Sequence, residues 1–332
     1  MEYTVTLIPG DGIGPEVTEA AQRVIAASGV KIQWERHDAG AEAAERTGNP
    51  CPDSLIQSIQ RNRIALKGPV GTPIGKGFKS VNVTLRRALD LYACLRPVRS
   101  LVGVESHYKN IDLVIIRENT EGLYSGIEHM VVPGVAESLK IVTEKACIRI
   151  SEFAFRHARV TGRKKISIVH KANIMRLTDG MFLDVARRTA QRFPDIEVDE
   201  VIVDACAMQL VRDPSRYDVL VMDNLYGDIL SELSAGLVGG TGVVPGANLG
   251  DECAVFEAVH GSAPDIAGQG VANPTAVILS AALMLHSMGE REAARRIERA
   301  VERVYAETDV RTQDLNGTAS TSAFTDAIMR LL

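Results

Sequence analysis

The architecture of this chain is first visible in Val5-Thr6-Leu7-Ile8-Pro9-Gly10-Asp11-Gly12-Ile13-Gly14-Pro15-Glu16, close to the N-terminus. A β-branched apolar run ends in a glycine-rich turn, and Pro15 suits the first turn of a helix. A strand followed directly by a helix is the repeating unit of α/β proteins. The glycines lack the spacing of the dinucleotide fingerprint G-x-G-x-x-G, because the position of its third glycine is taken by Pro15. We therefore predict a strand-to-helix turn here and look elsewhere for any nucleotide site.

Strand-like and helical patterns alternate along the rest of the chain. We predict strands at 5–8, 113–116, 165–169 and 219–222, and helices at 15–27, 178–192 and 290–306. This alternation predicts an α/β sandwich with a largely buried sheet. A chain of 332 residues exceeds the size at which one hydrophobic core usually stops growing, so two linked domains are expected. No Pro/Ser-rich linker separates them, which predicts that the chain crosses between the domains more than once.

The composition is that of a globular enzyme and argues against several other classes of protein. Hydrophobic residues make up 45% of the chain and charged residues 24%, which argues against disorder. The formal net charge of −5 argues against nucleic acid as a partner, and the apolar runs are too short to span a membrane. The 5 widely spaced cysteines predict reduced thiols. No targeting segment is recognisable at the N-terminus, so we expect a cytoplasmic protein.

Side chains that can bind a small polycarboxylate are concentrated between residues 80 and 124. Two alternating polar side chains can point the same way and contact one polar group of a ligand. The arginines can each pair with a carboxylate through a planar fork of donors. The candidates are Ser80, Asn82, Arg86, Arg96, Arg117 and Tyr124.

Acidic residues suited to a hard divalent cation occur in the second half of the chain. Asp228 and Glu232 are one helical turn apart on the same face, and their oxygens suit Mg²⁺ or Mn²⁺. A solvated helix face is the alternative. Asp204 lies among apolar neighbours in the sequence, so we expect it to need a cation or a positive partner.

Two further segments carry polar residues where α/β proteins bind ligands. Lys171 follows directly after the predicted strand 165–169 and, together with Tyr124, forms a plausible pair for proton transfer. The loop at 257–268 is rich in small residues and could approach a phosphate or an adenine closely. Within this loop, Asp265 could accept hydrogen bonds from ribose hydroxyls, or could cap a helix.

Taken together, these motifs resemble the β-decarboxylating dehydrogenases, that is, the isocitrate and isopropylmalate dehydrogenases, over essentially the whole chain. The run Ser80-Val81-Asn82 resembles the isocitrate-specific version, while 119–126 and 170–174 resemble the NAD-dependent isocitrate dehydrogenases. The resemblance implies two α/β domains around a central cleft, which is not a Rossmann fold. It implies a large NAD-binding domain of 1–92 and 239–332, and a small domain of 93–238 with a dimer-forming clasp near 122–143.

The resemblance also implies a role for each candidate. Isocitrate would be bound by Ser80, Asn82, Arg86, Arg96, Arg117 and Asn173, and proton transfer would fall to Tyr124, Lys171 and Asp204. The metal, Mg²⁺ or Mn²⁺, would be bound by Asp204, Asp228 and Glu232. NAD would be bound by Thr72, Glu257, His260, Gly261, Ala263, Asp265, Ile266, Asn273 and Asp314. Relatives that use NADP carry lysine and tyrosine in place of Asp265 and Ile266, so NAD is implied.

The family fold implies a homodimer in which Lys171 and Asp204 serve the partner's active site, with larger assemblies left open. One departure from the family pattern is Glu232, where relatives usually have aspartate, so it ranks below Asp204 and Asp228 as a metal ligand. Homoisocitrate, 3-isopropylmalate and tartrate stay open as alternative substrates, and Ser80 and Asn82 argue against the apolar ones. A regulatory subunit of a hetero-oligomer also stays open, although each proton-transfer and metal position is filled.

Overall fold

The computed structural model of the chain describes residues 2–71 and 80–332, which form a mixed α/β structure. Its strands are β1 (Glu2–Ile8), β2 (Lys31–Arg36), β3 (Ile64–Lys67), β4 (Ala93–Arg99), β5 (Asp112–Glu118), β6 (Glu128–Val132), β7 (Val135–Ser138), β8 (Lys165–His170), β9 (Glu197–Ile202), β10 (Val219–Met222), β11 (Ala247–Leu249) and β12 (Ala254–Glu257). Its helices are α1 (Gly14–Ala27), α2 (Ala41–Thr47), α3 (Asp53–Asn62), α4 (Val81–Ala88), α5 (Glu144–Thr161), α6 (Thr178–Ala190), α7 (Val203–Arg212), α8 (Asn224–Leu237), α9 (Thr275–Ser287), α10 (Arg291–Glu307) and α11 (Thr321–Leu331). Each strand and helix predicted above is present, with ends that shift by at most three residues.

The chain divides into two compact units. Unit 1 consists of Met1–Leu91, Arg99–Lys109 and Ala235–Leu332, and unit 2 of Tyr92–Val98 and Asn110–Ser234. The segment 99–109, assigned to the small domain from the sequence, packs in unit 1. It contacts the chain just after α10, where the guanidinium of Arg311 donates to the Gly103 carbonyl at 3.1 Å. The other domain limits stay predictions.

Unit 1 is built on the strand order β2-β1-β3-β12-β11. The pairs β1–β2, β1–β3 and β3–β12 are parallel, whereas β11 and β12 are antiparallel. Helix α9 is apolar on every side and buried at nine of its positions, because α1, α10 and the strand β12 all pack against it. It forms the centre of the core of this unit.

Unit 2 contains the strand order β4-β5-β10-β8-β9, in which β5, β10, β8 and β9 run parallel. Helices α5 and α6 pack against each other beside these strands. Because parallel strands end at the same edge, the residues that follow β5, β8 and β10 are brought together. That edge carries the candidate site described below.

A two-stranded antiparallel hairpin, β6–β7, extends from unit 2. Every residue of both strands is exposed, including the large apolar side chains Met130, Val131, Val132 and Val135. An exposed apolar hairpin is unusual for a surface that contacts only water. Within residues 2–71 and 80–332, no helix is long and apolar enough to cross a bilayer.

Candidate active site

A polar cluster of unit 2 lies at the carboxyl ends of its parallel strands. Arg117, which is 2% exposed, donates to the Asp228 carboxylate on α8, and the hydroxyl of Tyr124 donates to the other oxygen of the same carboxylate. The Arg117 guanidinium also lies 5.1 Å from the Tyr124 ring centroid and donates to Asn224 Oδ1 at 2.7 and 2.9 Å. Three residues predicted to act on one substrate are therefore in mutual contact.

A glycine on α8 makes room for this arrangement. A Cβ at Gly227 would lie 2.5 Å from Arg117 Cβ, so a larger residue would push the arginine away from α8. The register of β10 and β5 places Met222 opposite Arg117, which brings the start of α8 next to the arginine. Gly227 is a site residue that sequence reasoning missed, although a glycine directly before the candidate metal ligand Asp228 was a visible signal.

Glu232 follows Asp228 by one turn of α8, as predicted. Reduced hydration and the neighbouring carboxylate of Asp228 raise the pKa of Glu232, whereas Arg96 and Arg117 act in the opposite direction. Two adjacent carboxylates repel each other, and a divalent cation between them would relieve that repulsion. The oxygen donors of this helix face therefore fit a hard metal ion.

Lys171 and Asp204 form a separate ion pair in unit 2. Asp204 lies in the first turn of α7 with 67% of its side chain exposed, so the sequence-based expectation of an apolar environment is wrong. The expectation of a positive partner is confirmed, and the hydrogen bond from Lys171 lowers the pKa of the Asp204 carboxyl. Asn173, predicted to bind the substrate, is exposed in the same loop.

The three predicted metal ligands are not gathered in one chain. Among the described residues, there is no group of three or more His, Cys, Asp or Glu side chains arranged to hold a metal ion. Asp228 and Glu232 are neighbours, whereas Asp204 is paired with Lys171.

Of the remaining candidates for substrate binding, Arg96 lies on β4 in unit 2, where it is 6% exposed, and the other three lie in unit 1. Ser80 precedes α4 and Arg86 lies on this helix, where it is 8% exposed. The Oδ1 atom of Asn82 is buried and has no hydrogen-bond partner among the described residues. Arg86 lies 3.8 Å from Glu257 Oε1, a carboxylate that also pairs with the buried Lys67.

Glu257 is bound within the protein by buried polar contacts, and its cofactor role stays a prediction. It is 5% exposed, pairs with Lys67 and accepts a hydrogen bond of 2.6 Å from Asn248. Lys67 is 1% exposed and was missed, although a lysine that closes an apolar strand was a visible anomaly. These residues form a buried polar network behind Arg86.

A cavity of about 450 Å³ in unit 1 contains several of the predicted cofactor-binding residues. Its volume is in the range of small-molecule sites. The predicted residues His260, Ile266, Asn273 and Asp314 line it, together with unpredicted ones, Ile13, Gly239, Gly240, Thr241, Gly242, Val271, Ala272 and Gln313. Gly261, Ala263 and Asp265 belong to the adjacent loop but do not line the cavity, and Thr72 lies outside the described residues.

His260 presents an acceptor in this cavity. Its Nε2 atom is buried and has no hydrogen-bond partner among the described residues, while Nδ1 lies 3.0 Å from the Gly261 carbonyl. Burial lowers the pKa of His260, which favours the neutral ring. With the proton on Nδ1, Nε2 is free to accept a hydrogen bond from a ligand amine.

The glycine-rich turn after β1 supports this cavity from one side. Gly10 and Gly12 have positive φ, and a Cβ at Gly12 would lie 2.0 Å from the Ser262 carbonyl oxygen. Asp11 accepts hydrogen bonds from the N–H groups of Ala41 and Gly71 at 2.9 and 2.7 Å. Asp11 therefore connects this turn to two neighbouring segments, a role that the sequence did not reveal.

Comparison with known proteins agrees with this arrangement. Residues 4–328 match the family described as isocitrate/isopropylmalate dehydrogenase. The chain is 52% identical to a mitochondrial NAD isocitrate dehydrogenase catalytic subunit of Arabidopsis thaliana, over 98% of this chain and 87% of that protein. It is 51% identical to a chloroplastic 3-isopropylmalate dehydrogenase of Solanum tuberosum, over 89% of this chain and 83% of that protein. The isocitrate dehydrogenase structure from Methylococcus capsulatus superposes with a TM-score of 0.97 at 52% identity, covering 99% of both chains.

These comparisons correct one expectation and confirm another. The predicted cytoplasmic location is wrong, because the isocitrate dehydrogenase relatives of plants and yeasts are named as mitochondrial proteins. The predicted fold class is confirmed by the match to the Methylococcus capsulatus structure. With nearly its whole length matched, the chain belongs to the isocitrate/isopropylmalate dehydrogenase family.

Proposed function

We propose that this chain is an NAD-dependent isocitrate dehydrogenase, which converts isocitrate to 2-oxoglutarate and CO₂ with Mg²⁺ or Mn²⁺. The observation that carries the proposal is the contact of Arg117, Tyr124 and Asp228 at one strand edge. A guanidinium, a phenol and a carboxylate placed together suit a reaction that binds a carboxylate, moves a proton and uses a metal. The 52% identity to the Arabidopsis thaliana enzyme supports the same substrate and cofactor.

The polar residues of α4 favour isocitrate over an alkyl-malate. We assign Ser80 and Asn82 to the carboxylate that distinguishes isocitrate, and Arg86, Arg96 and Arg117 to the other carboxylates. The side-chain amide of Asn82 supports this assignment, because its NH₂ group can donate to a carboxylate, whereas an alkyl group offers no acceptor. Asn173 stays a candidate for the same substrate.

Asp228 and Glu232 would hold the divalent cation from this chain, and Asp204 would complete the site from a second chain. The cation would supply polarisation of the substrate oxygen, and NAD⁺ would supply the acceptor for the hydride of the substrate carbon. Lys171 or Asp204, which are paired with each other, would relay the hydroxyl proton, and Tyr124 would return a proton to carbon after CO₂ has left. The arginines would hold the carboxylates in place throughout.

The cavity in unit 1 is our proposed site for the adenosine part of NAD. The neutral ring of His260 would accept a hydrogen bond from the adenine amine through Nε2. Ile266, Asn273 and Asp314 would line the same site. For five further residues, the role in NAD binding is a proposal that rests on the family resemblance. They are Asp265, Gly261, Ala263, Glu257 and Thr72.

We propose a homodimer with shared active sites. The exposed apolar strands of the β6–β7 hairpin support this, because water is a poor solvent for such a surface. The 67% exposure of the Asp204 side chain also supports it, because a residue that serves the partner's site has to be accessible on the surface of its own chain. The relatives are named as subunits, which is compatible with larger assemblies.

The test is an initial-rate assay of NADH formation by the purified chain with Mg²⁺ or Mn²⁺. Isocitrate, homoisocitrate and 3-isopropylmalate would each be offered with NAD⁺ and with NADP⁺. We expect turnover with isocitrate and NAD⁺ at the highest kcat/KM. Preference for 3-isopropylmalate would refute the substrate assignment, and inactivity with each pair would identify a regulatory subunit that needs a catalytic partner.

A further inference from the structure

A buried lysine in unit 2 lies outside the mechanism proposed above. Lys140 has only 11% of its side chain exposed and forms ion pairs with Asp179 and Asp223. Its Nζ atom lies 2.5 Å from Asp223 Oδ2 and 4.7 Å from the centroid of the Tyr226 ring. Asp179 is 3% exposed and Asp223 9% exposed, so one ammonium neutralises two buried carboxylates.

Asp179 is connected to the segment that carries Lys171. Its Oδ2 atom accepts a hydrogen bond of 2.7 Å from the backbone N–H of Lys171. The same oxygen accepts a hydrogen bond of 3.1 Å from the hydroxyl of Tyr226, on α8. Asp179 therefore holds the backbone from which the Lys171 side chain extends.

Asp223 is connected to the start of α8. Its Oδ1 atom accepts a hydrogen bond of 3.0 Å from the backbone N–H of Tyr226, and its carbonyl accepts one of 3.0 Å from Gly227. It thus caps the first turn of α8, the helix that carries Asp228. Burial raises the pKa of Asp223, and Lys140 opposes this effect.

Lys140 itself belongs to the base of the β6–β7 hairpin. The next residue, Ile141, pairs with Gly122, and the Gly122 N–H donates to the Ile141 carbonyl at 2.8 Å. One ammonium group therefore joins the hairpin base, the end of β8 and the start of α8. Lys171 directly follows β8, and Asp228 lies on α8.

We propose that Lys140 is a positioning residue, which through Asp179 and Asp223 fixes the Lys171 backbone and the first turn of α8 in one arrangement. Without the ammonium group, two buried carboxylates would face each other unpaired, and both elements would shift apart. A displacement of about 1 Å at a reacting group commonly costs around 100-fold in rate. The rate effect rests on the proposed function, whereas the structural effect does not.

The test compares Lys140→Met with a matched control, Lys165→Met. Lys165 lies at the other end of β8 and also pairs with two carboxylates, at 2.8 Å from Asp199 and 3.4 Å from Glu197. We expect Lys140→Met to lower kcat roughly 10- to 100-fold while the KM for NAD⁺ stays within about two-fold. Lys165→Met is expected to keep the wild-type kcat. An unchanged kcat in folded Lys140→Met, or an equal loss in Lys165→Met, would overturn the proposal.

Amide hydrogen exchange tests the same proposal without turnover. We expect faster exchange in Lys140→Met for the peptides that contain Lys171 and the first turn of α8, with no change in α9 of unit 1. If wild type is inactive with each substrate, the proposed function fails, and this exchange pattern still decides the role of Lys140.

A second variant covers the case in which Lys140→Met does not fold. Asp179→Asn keeps an acceptor for the Lys171 N–H but removes the charge that faces Lys140, so we expect a lower kcat in a folded protein. Asp179→Leu removes the acceptor as well and is expected to lose more. Wild-type kcat and wild-type exchange in Asp179→Asn would refute the proposal.

Discussion

Arg117 and Asp228 are bound to each other, although one is assigned to the substrate and the other to the metal. The arginine is 2% exposed on its side chain, whereas the carboxylate is 44% exposed. A divalent cation can therefore approach Asp228 from solvent while Arg117 stays buried. Metal binding and substrate binding are expected to be coupled through this contact.

We predict that Asp228→Asn weakens metal binding strongly. The amide cannot supply the charge that a hard cation prefers, so the Mn²⁺ concentration needed for half-maximal activity should rise about 10- to 100-fold. The measurement is a titration of activity with Mn²⁺ at saturating isocitrate and NAD⁺. Asp184→Asn is the control, because Asp184 is an exposed residue of α6 that pairs only with Arg187 among the described residues. Equal Mn²⁺ requirements in the two variants would contradict the role of Asp228.

The ion pair between Lys171 and Asp204 leads to a prediction about assembly. If these residues serve the partner's site, Lys171→Met removes a residue that one chain contributes to that site, and Asp228→Asn removes a residue that the other chain contributes. Lys171→Met alone should lose about 100- to 10,000-fold in kcat, as expected when a proton-transfer group is removed, and Asp228→Asn alone should be impaired when Mn²⁺ is limiting. Refolding the two variants together should restore activity, because some mixed dimers then hold one intact site. Absence of recovery in mixed dimers would show that each chain supplies its own lysine.

Sequence reasoning found the residues of the site more easily than their contacts. Motifs such as Ser80-Val81-Asn82 and Glu121-Gly122-Leu123-Tyr124 are local, so they can be read from the chain directly. The pairing of Glu257 with Lys67, and of Asp179 with Lys140, joins residues 190 and 39 positions apart. Such pairs follow from how strands and helices come together, and no local pattern encodes them.

The error at Asp204 has a similar origin. Its neighbours Val203, Ala205 and Cys206 suggested an apolar environment, and Cys206 is indeed buried. On helix α7, however, adjacent residues point in different directions, so Asp204 faces solvent while Cys206 faces the core. The helical periodicity, rather than the average polarity of the neighbours, decided its exposure.

Cofactor choice can be tested at the loop after β12. We expect the double variant Asp265→Lys, Ile266→Tyr to shift the preference from NAD⁺ towards NADP⁺, because a cation replaces a carboxylate that would repel the 2′-phosphate. Ile266 lines the cavity of unit 1, which places the second substitution at the cofactor site. The measurement is the ratio of kcat/KM for the two cofactors. Glu45→Lys, an equal charge change on an exposed position of α2, should leave this ratio unchanged.

The packing of segment 99–109 leads to a stability prediction at Gly103. This residue has φ +87, and a Cβ would lie 1.9 Å from the Tyr305 carbonyl oxygen. Gly29 has φ +90, and a Cβ there would have no heavy atom within 4 Å. Gly29→Ala therefore measures the cost of the positive φ alone. Gly103→Ala should lower the free energy of unfolding by at least about 2 kcal/mol more than Gly29→Ala, as overpacking typically does. Urea unfolding of both variants measures the difference, and equal losses would show that the segment moves aside.

His157 on α5 should make the protein less stable in mild acid. Burial, together with the nearby Arg163, lowers the pKa of His157 from 6.5 to about 4. Between these values the unfolded chain binds a proton that the folded chain does not, so the free energy of unfolding falls as the pH decreases from 6.5 towards 4. The loss from this group is at most about 3 kcal/mol.

We therefore expect His157→Leu to reduce the pH dependence of unfolding in this range. The measurement is the urea midpoint at pH 7 and at pH 4, where the difference between the two midpoints should be smaller in the variant than in wild type. His107→Leu is the control, because His107 is exposed and its replacement leaves His157 in place. If both variants keep the wild-type difference, other groups cause the acid sensitivity. If His157→Leu alone reduces it, the neutral His157 ring of the folded state contributes to the acid sensitivity.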